Sequence, residues 1–410
     1  MDNIAGAPVE GRNFFGRELE VMRLTDILAN DDILLLGPRR IGKTSIGRAV
    51  MQKVRADGWR SVEINVASCI DERAFLEKLD SALRPELASL GAKVTSTISA
   101  ALASVASRIK SIKLSVPCAA GVGVEIAEGA TEEWTKVGCE VLQLIAQVEQ
   151  RWLIYIDELP IMLFNIMRSD PVTGVQRVRR FLDWFRNDVR GLPGAQSVRW
   201  LVSGSIGLDT LVQQHGMADT INSLSHQGLP AFKDEVAVGM LMALAGRYQM
   251  AFHEDDARSM VDAIKWSQPY YLQTAFHHLR SLMVANPGIG AGTLIDAAIE
   301  TMVQPGSDND FHHWITRLEQ QLDRASAGHA IALLNFAAND PLGVRPEALL
   351  NIIEERLPSV LPEDARRIFI NLRDILERDA YWWPDEKSGN KRYRFRLEPL
   401  RRWWMRRNTL

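Results

Sequence analysis

Apolar positions along the chain follow two rhythms. Through the first half, short unbroken apolar runs alternate with stretches of helical spacing. Asp32-Ile-Leu-Leu-Leu36 is bounded by charge on one side and Gly37 on the other, which predicts a strand buried on both faces. Glu18 to Leu28 before it, and residues 43–56 after it, place apolar residues three and four apart and predict helices. Arg60 to Val66 alternates as a second strand, and Trp152 to Ile156 and Val198 to Ser203 are a third and a fourth. Helices are expected over Asp71 to Leu90 and Glu132 to Gln150, and in the segment carrying Arg177, Arg179, Arg180, Arg186 and Arg190. Strands alternating with helices in this way build an α/β layer with a parallel sheet.

One segment breaks the rhythm. Residues 91–131 are rich in Ala, Ser, Gly and Val, and read as an insertion. Within it, Ser111 to Val116 and Gly121 to Ile126 are expected to pair as a hairpin across Pro117 to Ala120.

From Asp234 to Gln304 only the helical rhythm persists, and Gln304 to Asp310 has the composition of a linker. Residues 311–379 are helical segments broken by Asp340-Pro341 and by Leu357 to Pro362. Ala380 to Trp383 and Arg392 to Arg396 then flank the polar turn Pro384 to Lys391. Three helices and a terminal hairpin predict a winged helix. The expected domains are 1–232, an α/β core; 233–306, helical; and 311–410, the winged helix.

Composition bounds the function. Of 410 residues, 46% are apolar and 24% charged, which excludes a disordered, collagenous or mini-protein chain. A net charge of −3 excludes a polycation that coats nucleic acid. The three cysteines, Cys69, Cys118 and Cys139, form no CxxC pair, so neither a disulfide framework nor a structural zinc is expected. No apolar run reaches the about 18 residues of a membrane span, and the longest approach, Val94 to Ser107, is interrupted by Thr and Ser. The first residues lack a basic start and apolar core. Together these features lead to the expectation of a soluble, cytoplasmic protein.

The chemistry concentrates where strands end. Gly37-Pro38-Arg39-Arg40-Ile41-Gly42-Lys43-Thr44, followed by Ser45, fits GxxxxGK[ST] with a strand before it and a helix after it. A loop of this length turns its amides onto a β-phosphate at a helix N-terminus. Lys43 would reach the β- and γ-phosphates, and the Thr44 hydroxyl would ligate Mg²⁺. Asp157-Glu158 closes the third strand. Asp157 would hold the metal through water, and Glu158 would polarise an attacking water as the catalytic carboxylate. Ser203-Gly204-Ser205 closes the fourth strand. Ser205 is either a catalytic group that senses the γ-phosphate or part of an ordinary turn. Arg186 and Arg190 are candidates for a phosphate-stabilising arginine, against the alternative of solvated helix-face charges. His277-His278 and His312-His313 are neighbours that diverge on a helix and make poor chelators.

Residues 391–410 hold eight Lys/Arg against one acid, with Tyr393, Phe395, Trp403 and Trp404 interleaved. Such a tail either binds DNA phosphates or docks on acidic parts of its own chain.

Phe15-Gly16-Arg17-Glu18, Gly37 to Thr44, Ile156-Asp157-Glu158, Gly204-Ser205, Ser267-Gln268-Pro269-Tyr270-Tyr271-Leu272 and Tyr393 to Trp404 occur in one order. In that order the chain resembles AAA-type P-loop ATPases of the archaeal-ATPase, STAND-like group. The resemblance implies an ATP and Mg²⁺ site, with Phe15 and Arg17 near the adenine and Pro269 on a lid helix (residues 233–306) that closes over the nucleotide. Ser267 replaces the group's usual glycine, and no sensor arginine stands at its usual places, which favours a slowly hydrolysing switch over a motor. The function expected is therefore an ATPase switch that repositions its winged helix to control a protein partner or a self-oligomer. The alternative is a DNA-binding, initiator-like ATPase.

Overall fold

The computed structural model describes residues 1–90, 92–112, 124–204, 207–306, 311–386 and 391–408. The chain divides into two compact units. One comprises Arg17–Gly37 and Lys43–Leu229; the other comprises Met1–Gly16, Pro38–Gly42 and Pro230–Leu410.

The first unit is the α/β layer. Its elements run α1 (Glu18–Leu28), β1 (Ile33–Leu36), α2 (Lys43–Ala56), β2 (Arg60–Asn65), α3 (Glu72–Ala88), α4 (Ala92–Ser111), α5 (Val124–Ala146), β3 (Trp152–Asp157), α6 (Leu159–Ser169), α7 (Gly174–Asp183), β4 (Val198–Gly204), α8 (Gly207–Gln214) and β5 (Ser225–Gly228). Among the described residues the strands form one sheet in the order β2-β3-β4-β1-β5, every neighbouring pair parallel. Helices on its faces exclude water from the central strands. That is why all six residues of β3 are buried and why the apolar runs were continuous rather than alternating.

The four strands and the parallel α/β class expected from the pattern are present, and β5 is added to them. Ser-His-Gln-Gly carries no apolar signal because an edge strand is held by backbone ladders. Ser225 donates to the Asp32 carbonyl at 2.8 Å and Leu229 to that of Leu36 at 2.8 Å. The arginine-rich segment folds as α7, continued by a π-helical turn over Trp184–Asp188 with Arg190 just beyond it, and α6 is a separate helix before it. Asp170 separates them and accepts the Thr173 amide at 2.9 Å.

The hairpin expected within 91–131 needs correction at its ends. Ser111 closes α4, and 124–126 open α5, so both outer ends of the proposed strands are helical. At the first end the reason is visible in and just after α4, where Val105, Ile109 and Ile112 are buried at helical spacing. The rest of that hairpin lies outside the described residues.

The second unit is mainly helical. It contains α9 (Asp234–Arg247), α10 (Glu254–Ile264), α11 (Pro269–Ala285) and α12 (Ala291–Met302), then α13 (His312–Gln321), α14 (Arg324–Ala338), α15 (Pro346–Arg356) and α16 (Pro362–Arg378). The antiparallel pair β6 (Trp382–Asp385) and β7 (Arg392–Phe395) and a final helix α17 (Glu398–Asn408) complete it. Val344 bridges Tyr393, adding the third short strand of a winged helix beside α14–α16. One apolar core runs through the unit, from Leu241 and Phe276 to Trp314, Leu372 and Trp404. Trp314 donates to Tyr271 Oη at 2.9 Å, and Tyr381 donates to the Trp314 carbonyl at 2.6 Å, so α11, α13 and the wing share one buried polar chain.

Candidate nucleotide-binding site

Three adjacent strands bring their carboxyl ends together. β1 ends at the phosphate-loop sequence, β3 at Asp157-Glu158 and β4 at Ser203-Gly204. Ligands of open α/β sheets bind at this edge.

In the loop, Gly42 has φ +102°, which favours a residue without a Cβ. Arg40 has φ +67°, a strained conformation for a side-chain-bearing residue, and its guanidinium carbon lies 3.9 Å from the Tyr270 ring centroid. Ile41 and Ser45 are buried, and Ile41 donates to the Pro38 carbonyl at 3.4 Å. α2 begins at Lys43 with no acidic residue in its first turn, so the positive end of its dipole is not countered there. Lys43 is 6% exposed, and its Nζ donates to the Gly37 carbonyl at 2.9 Å.

Asp157 is buried and accepts two hydroxyl protons. Thr44 Oγ1 donates to Oδ2 at 2.8 Å, and Ser203 Oγ donates to Oδ1. Tyr155 Oη donates to Ser203 Oγ at 3.3 Å and lies 3.5 Å from the Lys43 carbonyl. Burial, with the Asp157 carboxylate nearby, pushes the Tyr155 phenol well above its ordinary value, so Tyr155 stays a neutral donor. Tyr155 and Ser203 tie Asp157, Thr44 and Lys43 into one network. Their signal was a polar group inside two otherwise apolar strands.

Glu158 stands apart. It has φ +62° and ψ +39°, left-handed for a residue with a Cβ, and its Oε2 is buried with no hydrogen-bond donor. A strained backbone holding an orphaned carboxylate oxygen is the kind of arrangement that active sites retain. The Thr44 hydroxyl, the Asp157 carboxylate and this free oxygen form a hard oxygen set suited to Mg²⁺ and water.

The other expected residues are placed as follows. Arg17 is 4% exposed and pairs with Glu20 at 2.8 Å. Phe15 packs against Gly239 of α9, 3.6 Å from where a Cβ would stand. Pro269 is the first residue of α11, after the buried Ser267. Ser205 lies outside the described residues. Arg186 and Arg190 are engaged elsewhere. Arg186 donates to Asp219 at 3.2 Å, and Arg190 donates to Asp32 at 3.2 Å. Asp32 precedes β1, roughly 16 Å along the strand from Gly37, so Arg190 is held at the far end of the strand from the phosphate loop.

The basic tail is spent on its own unit. Arg402 donates to Asp296 and Glu300 of α12 at 2.8 Å each, and Arg406 donates to Glu300. Arg401 pairs with Glu398 at 2.7 Å, Arg394 with Asp385 at 2.9 Å, and Arg392 donates to the Gly343 carbonyl at 2.7 Å. Arg396 donates to the Trp382 carbonyl at 3.2 Å. The acidic groups around Arg402 outweigh its desolvation and raise its pKa. The structure shows the contacts expected of a tail docked on acidic parts of its own chain.

No family model and no curated protein matches the chain. Among solved structures, a Walker-type ATPase of Pyrococcus abyssi is similar over 97% of this chain and 98% of its own, with 14% identity and a TM-score of 0.56. The chain has the fold of a Walker-type ATPase. Aeropyrum pernix ORC2 protein in its ADP form aligns over 97% of this chain and 96% of its own, with 13% identity and a TM-score of 0.46. The RuvB Holliday junction branch migration motor of Thermotoga maritima aligns over 93% and 92%, with 9% identity and a TM-score of 0.39. Both are too remote to add to the fold. No described helix is long and apolar enough to cross a membrane.

Proposed function

We propose that the chain binds ATP with Mg²⁺ at residues Gly37, Pro38, Arg39, Arg40, Ile41, Gly42, Lys43, Thr44 and Ser45. In this reading it hydrolyses ATP slowly, as a cytoplasmic switch acting on a protein partner. The observation that carries the reading is Glu158, a strained residue with an unpartnered buried carboxylate oxygen beside the Lys43–Thr44–Asp157 network.

The residues divide the work. Amides at the start of α2 and the Lys43 ammonium neutralise phosphate charge, Lys43 exchanging the Gly37 carbonyl for phosphate oxygens. Thr44 and Asp157 would hold Mg²⁺, which would supply charge neutralisation for the phosphates. Ser203 fixes the second oxygen of Asp157. Glu158 accepts a hydrogen bond from water and aligns it for in-line attack. Ser205 is assigned the γ-phosphate, Phe15 and Arg17 the adenine side, and Pro269 the helix that responds to nucleotide. The Ser267 departure and the missing sensor arginine support slow turnover.

The docked tail favours the switch over the DNA-binding alternative, because seven of its arginines already have partners within their own unit. Lys43→Ala tests the binding step. The reading expects ATP affinity to fall at least tenfold, and wild-type affinity in that variant overturns it.

A further inference from the structure

At the opposite end of β1 and β4 from the phosphate loop, the α/β unit has a half-open cavity of about 330 Å³. That volume lies within the range of small-molecule sites. Its walls are about equally polar and apolar; the apolar part includes Leu142 of α5, Val189 and Trp200, which is 2% exposed. Two guanidinium groups enter it, from Arg190 and Arg199, against one carboxylate, Asp32.

The carboxylate is already committed. Asp32 accepts the Trp200 amide at 3.0 Å and Arg190 Nε at 3.2 Å. Burial raises its pKa against the opposing pull of the Trp200 amide, Arg190 and Arg199, so two arginines share one weakened carboxylate. Arg199 acts on Asp32 only through its charge, and its Nε is buried with no hydrogen-bond acceptor. A third guanidinium, Arg151, stands close enough for Arg199 to depress its pKa, beyond the effect of burial, so the local field is positive. A buried donor without an acceptor, in a positive field and beside a partly apolar cavity, is unfavourable by itself.

We propose that this cavity is a second ligand site for a small organic anion, in which Arg199 receives a single carboxylate or phosphate group and the Leu142, Val189 and Trp200 walls take an apolar body. The site is separate from the phosphate loop, roughly 16 Å away along β1. Arg190 and Asp32 form its rim, and Arg199 decides affinity through a charge-assisted contact.

The test uses the full chain with saturating ADP and Mg²⁺, which occupies the phosphate loop. Binding of 1-naphthoate and of 1-naphthyl phosphate is measured by calorimetry, with 1-naphthalenemethanol as the uncharged control. The proposal expects one of the two anions to bind at least tenfold tighter than the alcohol, and the preferred one identifies the head group. Arg199→Gln should lose that tenfold, and Ala146→Phe, which fills the cavity, should abolish binding with the melting temperature preserved. If Ala146→Phe does not fold, hydrogen exchange on the wild type decides, because the bound anion must protect the amides of residues 198–200. Neither anion exceeding the alcohol, equal binding in Arg199→Gln, or protection confined elsewhere overturns the proposal.

Discussion

Thr44 Oγ1 donates to Asp157 Oδ2 at 2.8 Å, joining residues 113 apart in the chain. The bond ties the first turn of α2 to the end of β3 and pre-positions both proposed metal ligands. Asp157→Asn should therefore lose the Mg²⁺-dependent part of nucleotide stabilisation. With ligand at a hundredfold excess over Kd, the wild type should gain about 2.7 kcal/mol from Mg-ATP. The variant should melt at the same temperature with Mg²⁺ as with EDTA. A full Mg²⁺-dependent shift in the variant contradicts the assignment.

Gly47 faces Tyr155 within the same network. A Cβ on residue 47 would stand 2.5 Å from Tyr155 Cζ, so the ring must move. Gly47→Ala should destabilise the α/β unit by roughly 1–3 kcal/mol, as overpacking does. It should also weaken ATP binding, because Tyr155 supports Ser203. Chemical denaturation and ATP titration of the variant measure both effects, and unchanged stability would show that the ring relocates freely.

The docked tail makes a prediction about DNA. Arg402→Ala removes a side chain that donates to Asp296, Glu300 and Glu398. The expected loss is about 1 kcal/mol in the helical unit. Duplex binding at low salt should be weak and should not change in this variant. Wild-type duplex affinity that falls steeply with salt, and that Arg402→Ala abolishes, would restore the DNA-binding alternative.

His313 sets a pH dependence. Burial, with Arg39, Arg40, Arg317 and His312 around it, pushes its imidazole down to about 3. The folded state keeps it neutral while the unfolded state takes a proton below the ordinary value, so the unfolded state binds more protons between these limits. Stability should fall on acidification from neutrality, by up to about 1.4 kcal/mol per pH unit from this group. Urea unfolding of wild type and His313→Gln at pH 7 and pH 5 checks it. The variant should show a shallower loss, and equal slopes refute the assignment.

What the sequence made legible follows from burial. β1, β3 and β4 are shielded on both faces, so their apolar runs named themselves, and the strand-to-loop junctions then located Lys43, Thr44, Asp157 and Glu158. β5 was silent because an edge strand of Ser-His-Gln-Gly is held by main-chain bonds alone. The outer ends of the expected 111–126 hairpin were misread because valine and isoleucine suit either element, and at its start only the burial of Val105, Ile109 and Ile112 shows which period applies. The fate of the basic tail was also beyond a linear reading, since Asp296 and Glu300 lie about a hundred residues from Arg402 and Arg406.

The central claim is that Glu158 directs hydrolysis at a site that Lys43 and Thr44 hold. Steady-state phosphate release from Mg-ATP, wild type against Glu158→Gln, tests it most directly. The account predicts slow wild-type release that falls by at least a hundredfold in Glu158→Gln while ATP affinity is retained. Release at the wild-type rate in the variant would contradict it.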